Sequence, residues 1–310
     1  MNKKALHITN DSTLTKLIKA LGITGDILIW QEILCEGPVI STVGSDDFLD
    51  MRSKFLRTFY DIDFDIREFN EEIDKLNHPE NYSEIVLWFD YDLFCHVNML
   101  GVISLIQQKK IKLPIYHVCS GRVKGEKNLK ELSELSSGQL LNHYESKTRL
   151  TPEDIQLCVT LWQTYCGKDH NLFKPYIVKD SSFKYMSNCL KAHLERFPNS
   201  KTGLSVLEAN ILEIINQQSI KTRNQLLGYA LNFQGYYGFR EMQFIRMIEK
   251  LSLFFSENAE GIKLNRMGHE ALLGQHDFSS QLHGDMVFGG VKKYDFKFSK
   301  RLNKLVETLK

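Results

Sequence analysis

Polar and titratable side chains collect at four places where an apolar run of this chain ends. Asn10-Asp11-Ser12-Thr13 follows Ala5–Thr9, and Cys35-Glu36-Gly37-Pro38 follows Asp26–Ile33. Asp90-Tyr91-Asp92 follows Glu84–Phe89, with His96 one helical turn on, and Cys119-Ser120-Gly121-Arg122 follows Leu113–Val118. Carboxylates beside an imidazole are the equipment of general acid–base or metal-assisted chemistry. The catalytic candidates are therefore Asp90, Asp92, Glu36, His96 and His7. A helix opening at Ser12 would turn free N–H groups and its positive end towards an anion. Asn10, Asp11, Ser12, Thr13, Glu36, Gly37, Ser120 and Arg122 are the ligand-binding candidates. The plainer roles are helix caps for Asp11, Ser12 and Asp92, a turn for Gly37-Pro38, and a half-buried surface histidine for His96.

Sharper motifs are absent. No G-x-G-x-x-G or P-loop follows the first run, and no G-x-S-x-G elbow is present. In His117-Val118-Cys119-Ser120-Gly121-Arg122 the arginine is too close to the cysteine to wrap a phosphate. His269, His276 and His283 recur every seven residues but lack ligand-pair spacing, and the cysteines form no C-x-x-C pair. No metal site is expected from motifs. Mg²⁺ between the carboxylates and an anion is the one cofactor the pattern leaves open.

The elements that must position these residues alternate in the first half. Strands over 5–9, 26–33, 84–89 and 113–118 are joined by helices over 12–21 and 93–107 and a helical polar stretch over 46–76. Repeated strand–helix–strand units imply a parallel, Rossmann-like sheet of about four strands with right-handed crossovers. In such sheets ligands bind beyond the carboxyl ends of the strands, so the four exits converge on one cavity. Asp11, Ser12, Glu36, Asp90, Asp92 and His96 are expected to line it.

Near residue 150 the grammar changes. Thr151-Pro152-Glu153-Asp154 is a helix start, and a mainly helical domain over 150–310 follows the α/β domain over 1–149. The two halves are expected to separate on limited proteolysis within Glu126–Arg149. Within the second half, a block over about 203–273 has three helices followed by two short extended runs, the order of a winged-helix module. In its third helix Phe239, Met242, Ile245 and Ile248 are expected inward, and Arg240, Gln243, Arg246 and Lys250 outward. The tail over 291–310 alternates Tyr294, Phe296 and Phe298 with polar residues, which predicts one edge strand with an apolar face, docked or mobile and not an independent fold; if it pairs with the first half, it clasps the halves together.

The 310 residues are 43% hydrophobic and 25% charged, the composition of a folded chain, not a disordered one. Lys+Arg is 39 against 38 Asp+Glu, so no bulk charge points to nucleic acid. The first half carries 18 basic and 22 acidic residues, the second 21 and 16, and the last twenty residues 7 and 2. Met1-Asn2-Lys3-Lys4 is followed by no apolar core of a signal peptide, and no run approaches the ~20 residues that cross a bilayer. Six unpaired-looking cysteines read as reduced thiols of a cytoplasmic protein without a membrane partner.

The runs His7–Ser12, Ile29-Trp30-Gln31-Glu32, Glu36-Gly37-Pro38-Val39 and Leu87–Phe94 resemble a bacterial family known as domain of unknown function 1835. Leu150-Thr151-Pro152-Glu153, Leu161-Trp162, Phe197-Pro198, Gly203-Leu204-Ser205 and Phe288-Gly289-Gly290 resemble the companion domain that often follows it. The family usually reads Gly-Asp-Ser where this chain has Asn10-Asp11-Ser12. The resemblance implies the layout and no activity. Three functions remain: a binding or signalling protein for a small anionic or nucleotide-like ligand, with a protein partner on the helical module; a hydrolase or transferase on a phosphorylated substrate; and a DNA-binding regulator.

Overall fold

The computed structural model describes residues 3–308. The first half forms strands β1 (Lys4–Thr9), β2 (Asp26–Ile29), β3 (Gly37–Pro38), β4 (Tyr82–Trp88), β5 (Ile115–Val118), β6 (Gly121–Arg122), β7 (Leu129–Lys130) and β8 (Thr148–Arg149). Its helices are α1 (Ser12–Ala20), α2 (Asp46–Tyr60), α3 (Ile66–Asp74), α4 (Leu93–Gln108) and α5 (Ser137–Glu145). The main sheet has the order β2-β1-β4-β5-β8, parallel except for β8. An α/β half with a mostly parallel sheet is as the alternation predicts. The fifth, antiparallel strand is two residues long and leaves no period to read.

Period-two side-chain placement divides β4 between two cores. Ile85 and Leu87 face one apolar cluster, while Val86 and Trp88 face a second with Leu14 and Ile18 of α1. Helix α4 is buried from Leu93 to Ile106, because the sheet covers one side and the second half the other. The strand expected over 26–33 stops at Ile29. Trp30 then buries its indole, with Nε1 donating to Asn98 Oδ1 at 3.1 Å. The polar stretch over 46–76 is two helices, broken where Asp61 takes a left-handed conformation (φ 53°).

The second half holds α6 (Pro152–Cys166), α7 (Lys174–Ile177), α8 (Met186–Glu195), α9 (Val206–Gln217), α10 (Arg223–Asn232), α11 (Glu241–Lys250) and α12 (Arg266–Leu273). Strands β9 (Phe255–Asn258) and β10 (Gly261–Leu264) pair as a hairpin after α11. Helices α6 and α8 lie on α4, and one apolar cluster runs through both halves, from Leu34 and Leu100 to Trp162, Leu212 and Phe254.

Strand β11 (Val287–Gly289) pairs with β12 (Val291–Lys292) on one side and, in parallel, with β3 on the other. One small sheet thus draws strands from both halves. The change of grammar near residue 150 coincides with the end of β8 and the Thr151 cap, but the halves share core and sheet, contrary to the clean separation expected.

The tail docks, but as a hairpin where one edge strand is expected. Residues Phe296–Ser299 (β13) pair with Lys304–Glu307 (β14), not with the first half. It docks through Phe298 and Leu305, which join Phe55, Leu56 and Phe197 in a third cluster.

Helix α11 follows the expected faces only in part: Phe239 and Ile248 are buried as expected, but Met242, Ile245 and Gln243 are not where the pattern put them. Gln243, Phe244 and Ile248 are buried, while Met242 and Ile245 are 39% and 44% exposed. Its basic and amide side chains are drawn inward because polar partners await them. Arg240 pairs with Glu131 (2.9 Å), and Gln243 Nε2 donates to Glu36 Oε2 (3.0 Å).

Candidate functional site at the carboxyl edge of the sheet

Strand order reverses between β1 and β4, so the crevice beyond their carboxyl ends is where an open α/β sheet takes a ligand. Here that crevice is plugged. The backbone N–H groups of Leu93 and Phe94, at the start of α4, donate to the carbonyls of Tyr236 and Tyr237 (2.8 and 3.1 Å). Gly238 (φ +65°) lies so close to Asp92 that an added Cβ would sit 2.1 Å from its Cγ. The loop between α10 and α11 therefore occupies the helix terminus that an anion would need.

Beneath the plug lie Asp90, Asp92 and Cys95, with donor atoms within 4.8 Å of one another. Asp90 Oδ1 accepts from Ser120 Oγ (2.6 Å) and from the Leu132 N–H (2.7 Å). Asp92 Oδ1 accepts from the Cys95 N–H (2.8 Å), and Asp92 Oδ2 has no partner. Burial, then the mutual repulsion of like charges, pushes the carboxyl of Asp92 up; burial and Glu131 push that of Asp90 the same way. Two carboxylates and a thiol are not the all-oxygen shell of Mg²⁺, so the Mg²⁺ that the sequence pattern leaves open does not suit this set.

His96 is buried, with Nδ1–H donating to the Asp92 carbonyl (2.9 Å). Burial and neighbouring His117 lower its pKa to about 3, which keeps the ring neutral. His7 is structural too: Trp88 Nε1 donates to its Nδ1 (3.1 Å), and its Nε2–H donates to Thr24 O (3.2 Å). Both rings are held by structural contacts, His7 through both nitrogens and His96 through Nδ1, while His96 Nε2 is buried without a hydrogen-bond partner.

Two cavities flank the plug. One, of about 370 Å³, opens beyond β1 and β2 and takes in Asn10 and Ser12. It is bordered by Glu32, Asp63, Asp65, Glu68 and Glu72 and by no basic side chain. Arg52, Arg57 and Lys75 pair with Glu32, Asp63 and Glu72; among the described residues Asp65 and Glu68 have no ion-pair partner. The α1 terminus is closed as well, since Asp11 Oδ1 accepts from the Thr13 and Leu14 N–H groups (2.6 and 3.4 Å). The anion expected at Asn10–Thr13 has no electrostatic support there.

The other cavity, of about 160 Å³, opens beyond β5 and has the opposite character. Arg122, Lys184 and His143 border it with the hydroxyls of Ser120, Ser146, Thr148, Ser182 and Tyr185, and no carboxylate does. Arg122 and Lys184 have no salt-bridge partner among the described residues. Tyr185 approaches closely because Gly121 has no Cβ; one would lie 2.5 Å from the Tyr185 ring. The Tyr185 hydroxyl accepts from the Arg122 N–H (2.8 Å).

A buried chain of polar contacts joins the two cavities. Asn10 Nδ2 donates to Cys95 Sγ (3.3 Å), Cys95 Sγ faces Asp90 Oδ2 (3.9 Å), and Asp90 accepts from Ser120.

The expected residues thus fall in separate places: Asn10 and Ser12 at the acidic cavity, Ser120 and Arg122 at the basic one, Asp90, Asp92 and His96 buried beneath the plug. Asp11 and Thr13 border neither cavity. Glu36 and Gly37 lie at the junction of the halves, where Gly37 pairs with Phe288. The single cavity expected from the strand exits is not formed. Lys184, His143 and Tyr185 carry no motif that would have marked them; only the fold brings them to Arg122. No family model and no curated protein matches the chain.

Proposed function

We propose that the protein binds a small anionic ligand, a phosphate or carboxylate group on a compact molecule, in the cavity beyond β5. The observation that carries this reading is a lining with Arg122 and Lys184 unpaired, His143 beside them, five hydroxyls and no carboxylate. At about 160 Å³ the cavity holds the charged end of a metabolite, so a nucleotide would enter by its phosphate.

The helical half is the read-out. The order α9, α10, α11, β9, β10, with an antiparallel bridge between Ile220 and Ile262, supports a winged-helix-like module. Its third helix spends Arg240 and Gln243 on the first half and exposes Met242 and Ile245, with Phe233 64% exposed nearby. That surface suits a protein partner better than DNA, whose phosphates call for free cations. The resemblance to the domain of unknown function 1835 family belongs to the same proposal. A cytoplasmic location is supported by six free cysteines, four of them buried; no helix among the described residues is long and apolar enough to cross a membrane.

A second reading, a hydrolase or transferase on a phosphorylated substrate, is favoured by one contact. Ser120 Oγ, at the wall of the basic cavity, donates to Asp90, a carboxyl whose raised pKa suits a proton acceptor.

Calorimetric titration with glycerol 3-phosphate and AMP tests both. Wild type binds at least one of them, and Arg122→Met/Lys184→Met weakens binding by about tenfold or more, since charge-assisted contacts contribute about 1.5–3 kcal/mol each. Equal affinity in the variant contradicts the binding reading. If Ser120→Ala abolishes turnover while binding persists, the enzyme reading replaces it.

A further inference from the structure

Three cations without a carboxylate partner border a third, smaller cavity where the halves meet. It is about 50 Å³ and lies between Glu36, Arg196 just after α8, Glu208 on α9, Arg246 and Lys250 on α11, and Lys293. Lys293 Nζ is held by Glu208 Oε1 (2.6 Å), and Glu36 Oε2 accepts from Tyr60 and Gln243. Among the described residues Arg196, Arg246 and Lys250 make no salt bridge. Arg196 is 2% exposed, its guanidinium 3.8 Å from the Phe288 ring centroid; its terminal nitrogens donate to the Cys35 carbonyl, the Tyr165 hydroxyl (3.2 Å) and His193 Nδ1 (2.7 Å), and only its Nε has no hydrogen-bond partner. Arg246 lies 4.6 Å over the Phe59 ring, and Lys250 Nζ donates only to the Tyr294 hydroxyl (2.9 Å).

Four cations against two carboxylates leave a charge of +2 around the cavity. Burial, then the nearby charge of Lys293, lowers the pKa of Lys250 to about 8, as expected where positive charge is crowded out of water. A water needs about 10–15 Å³ of such space, so the cavity takes about four atoms of that size. Guanidinium and ammonium groups converging on such a volume match a tetrahedral oxyanion, whose oxygens accept charge-assisted hydrogen bonds. The charge matches the hydrogen phosphate dianion.

We propose that this cavity is a binding site for a phosphate-sized oxyanion, free or as the end of a monoester. The site shares no residue with the cavity beyond β5. Its walls come from the β3 turn of the first half and from α8, α9, α11 and the C-terminal segment of the second. A bound anion therefore clamps α11 to the α/β half and fixes the face that the module leaves exposed.

The test is thermal unfolding at pH 7.5 of wild type, Arg122→Met/Lys184→Met and that same variant with Arg246→Gln/Lys250→Gln added. Each is measured in 10 mM inorganic phosphate and in chloride of equal ionic strength. For a dissociation constant of about 1 mM, phosphate raises the melting temperature by about 3 °C. A rise persists in the Arg122→Met/Lys184→Met protein, where the cavity beyond β5 is disabled, and disappears when Arg246→Gln/Lys250→Gln is added to that background. If that last variant does not fold, Lys250→Met, which loses the rise, and Lys250→Arg, which keeps it, replace it at a half-buried position. An arm with glycerol 3-phosphate separates the sources: an equal rise shows that the phosphoryl end alone is read, and no rise shows a site for the free ion. An equal rise in chloride, or a phosphate rise in the Arg122→Met/Lys184→Met background that survives loss of both Arg246 and Lys250 charges, overturns the proposal.

Discussion

Glu32→Ala lowers the stability of the protein by about 3–5 kcal/mol, measured by urea unfolding, because it strands a buried guanidinium. Arg52 and Glu32 have side chains with 0% exposure and an N–O distance of 2.9 Å. Arg52 also donates to the carbonyls of Ile33 (3.0 Å), Glu36 (2.7 Å) and Pro38 (3.3 Å). One arginine on α2 thus fixes the chain from the end of β2 to β3, and so both the acidic cavity and the junction with β11. The loss is a large share of a typical domain's stability of about 5–15 kcal/mol. Replacing both partners, Glu32→Leu/Arg52→Met, costs less than Glu32→Ala, since no unpaired charge remains. A double variant at least as unstable as Glu32→Ala would show that Arg52 matters for its backbone contacts and not for its charge.

Asp92→Asn acts in the opposite direction and raises stability at pH 8 by about 2 kcal/mol. Each pKa unit by which burial raises a carboxyl corresponds to about 1.4 kcal/mol against the folded state once the group ionises. Asparagine removes the charge and keeps an oxygen for the Cys95 N–H, at the expense of about 1 kcal/mol for an amide donor near the unpartnered Oδ2 position. The sign follows from linkage. A carboxyl raised by folding holds its proton in the folded state from about pH 4 towards neutrality, where the unfolded chain has lost it. Its contribution is therefore lost as pH rises through that window. His7, His96, His117, His170 and His193 are lowered by burial and act with the opposite sign up to about pH 6.5, so the readout is the difference between variant and wild type. That difference grows from pH 5 to pH 8. No difference at pH 8 would mean that Asp92 is solvated or paired in solution. A carboxylate retained against stability is what functional sites show.

The sheet was legible because its strands are nearly all apolar and its helices have clear caps: Asp11, Asp92 and Thr151 all stand where an N-cap is needed. The α9–α11 block and its hairpin were legible for the same reason. The faces of α11 were legible only in part. Periodicity identifies an apolar stripe, but the polar stripe of α11 meets Glu36, Glu131 and Tyr294 from remote segments, which no local pattern records. The strand exits were found, yet their grouping was not. Convergence of strand ends on one edge holds, while the Tyr236–Gly238 loop fills the middle of that edge and divides it into an acidic and a basic side. Lys184 and His143 reach Arg122 through α5 and the segment before α8, elements whose placement follows from packing and not from sequence spacing.

The most direct test of the ligand site is a crystal of the wild-type protein soaked in tungstate, a heavy tetrahedral oxyanion located by its anomalous signal. An anomalous peak in the cavity beyond β5, within hydrogen-bonding reach of Arg122 and Lys184 and lost in Arg122→Met/Lys184→Met, is the predicted result. A cavity beyond β5 without a peak, with tungstate bound instead at the Asn10–Thr13 helix start, would contradict the assignment of the anion to this side of the sheet.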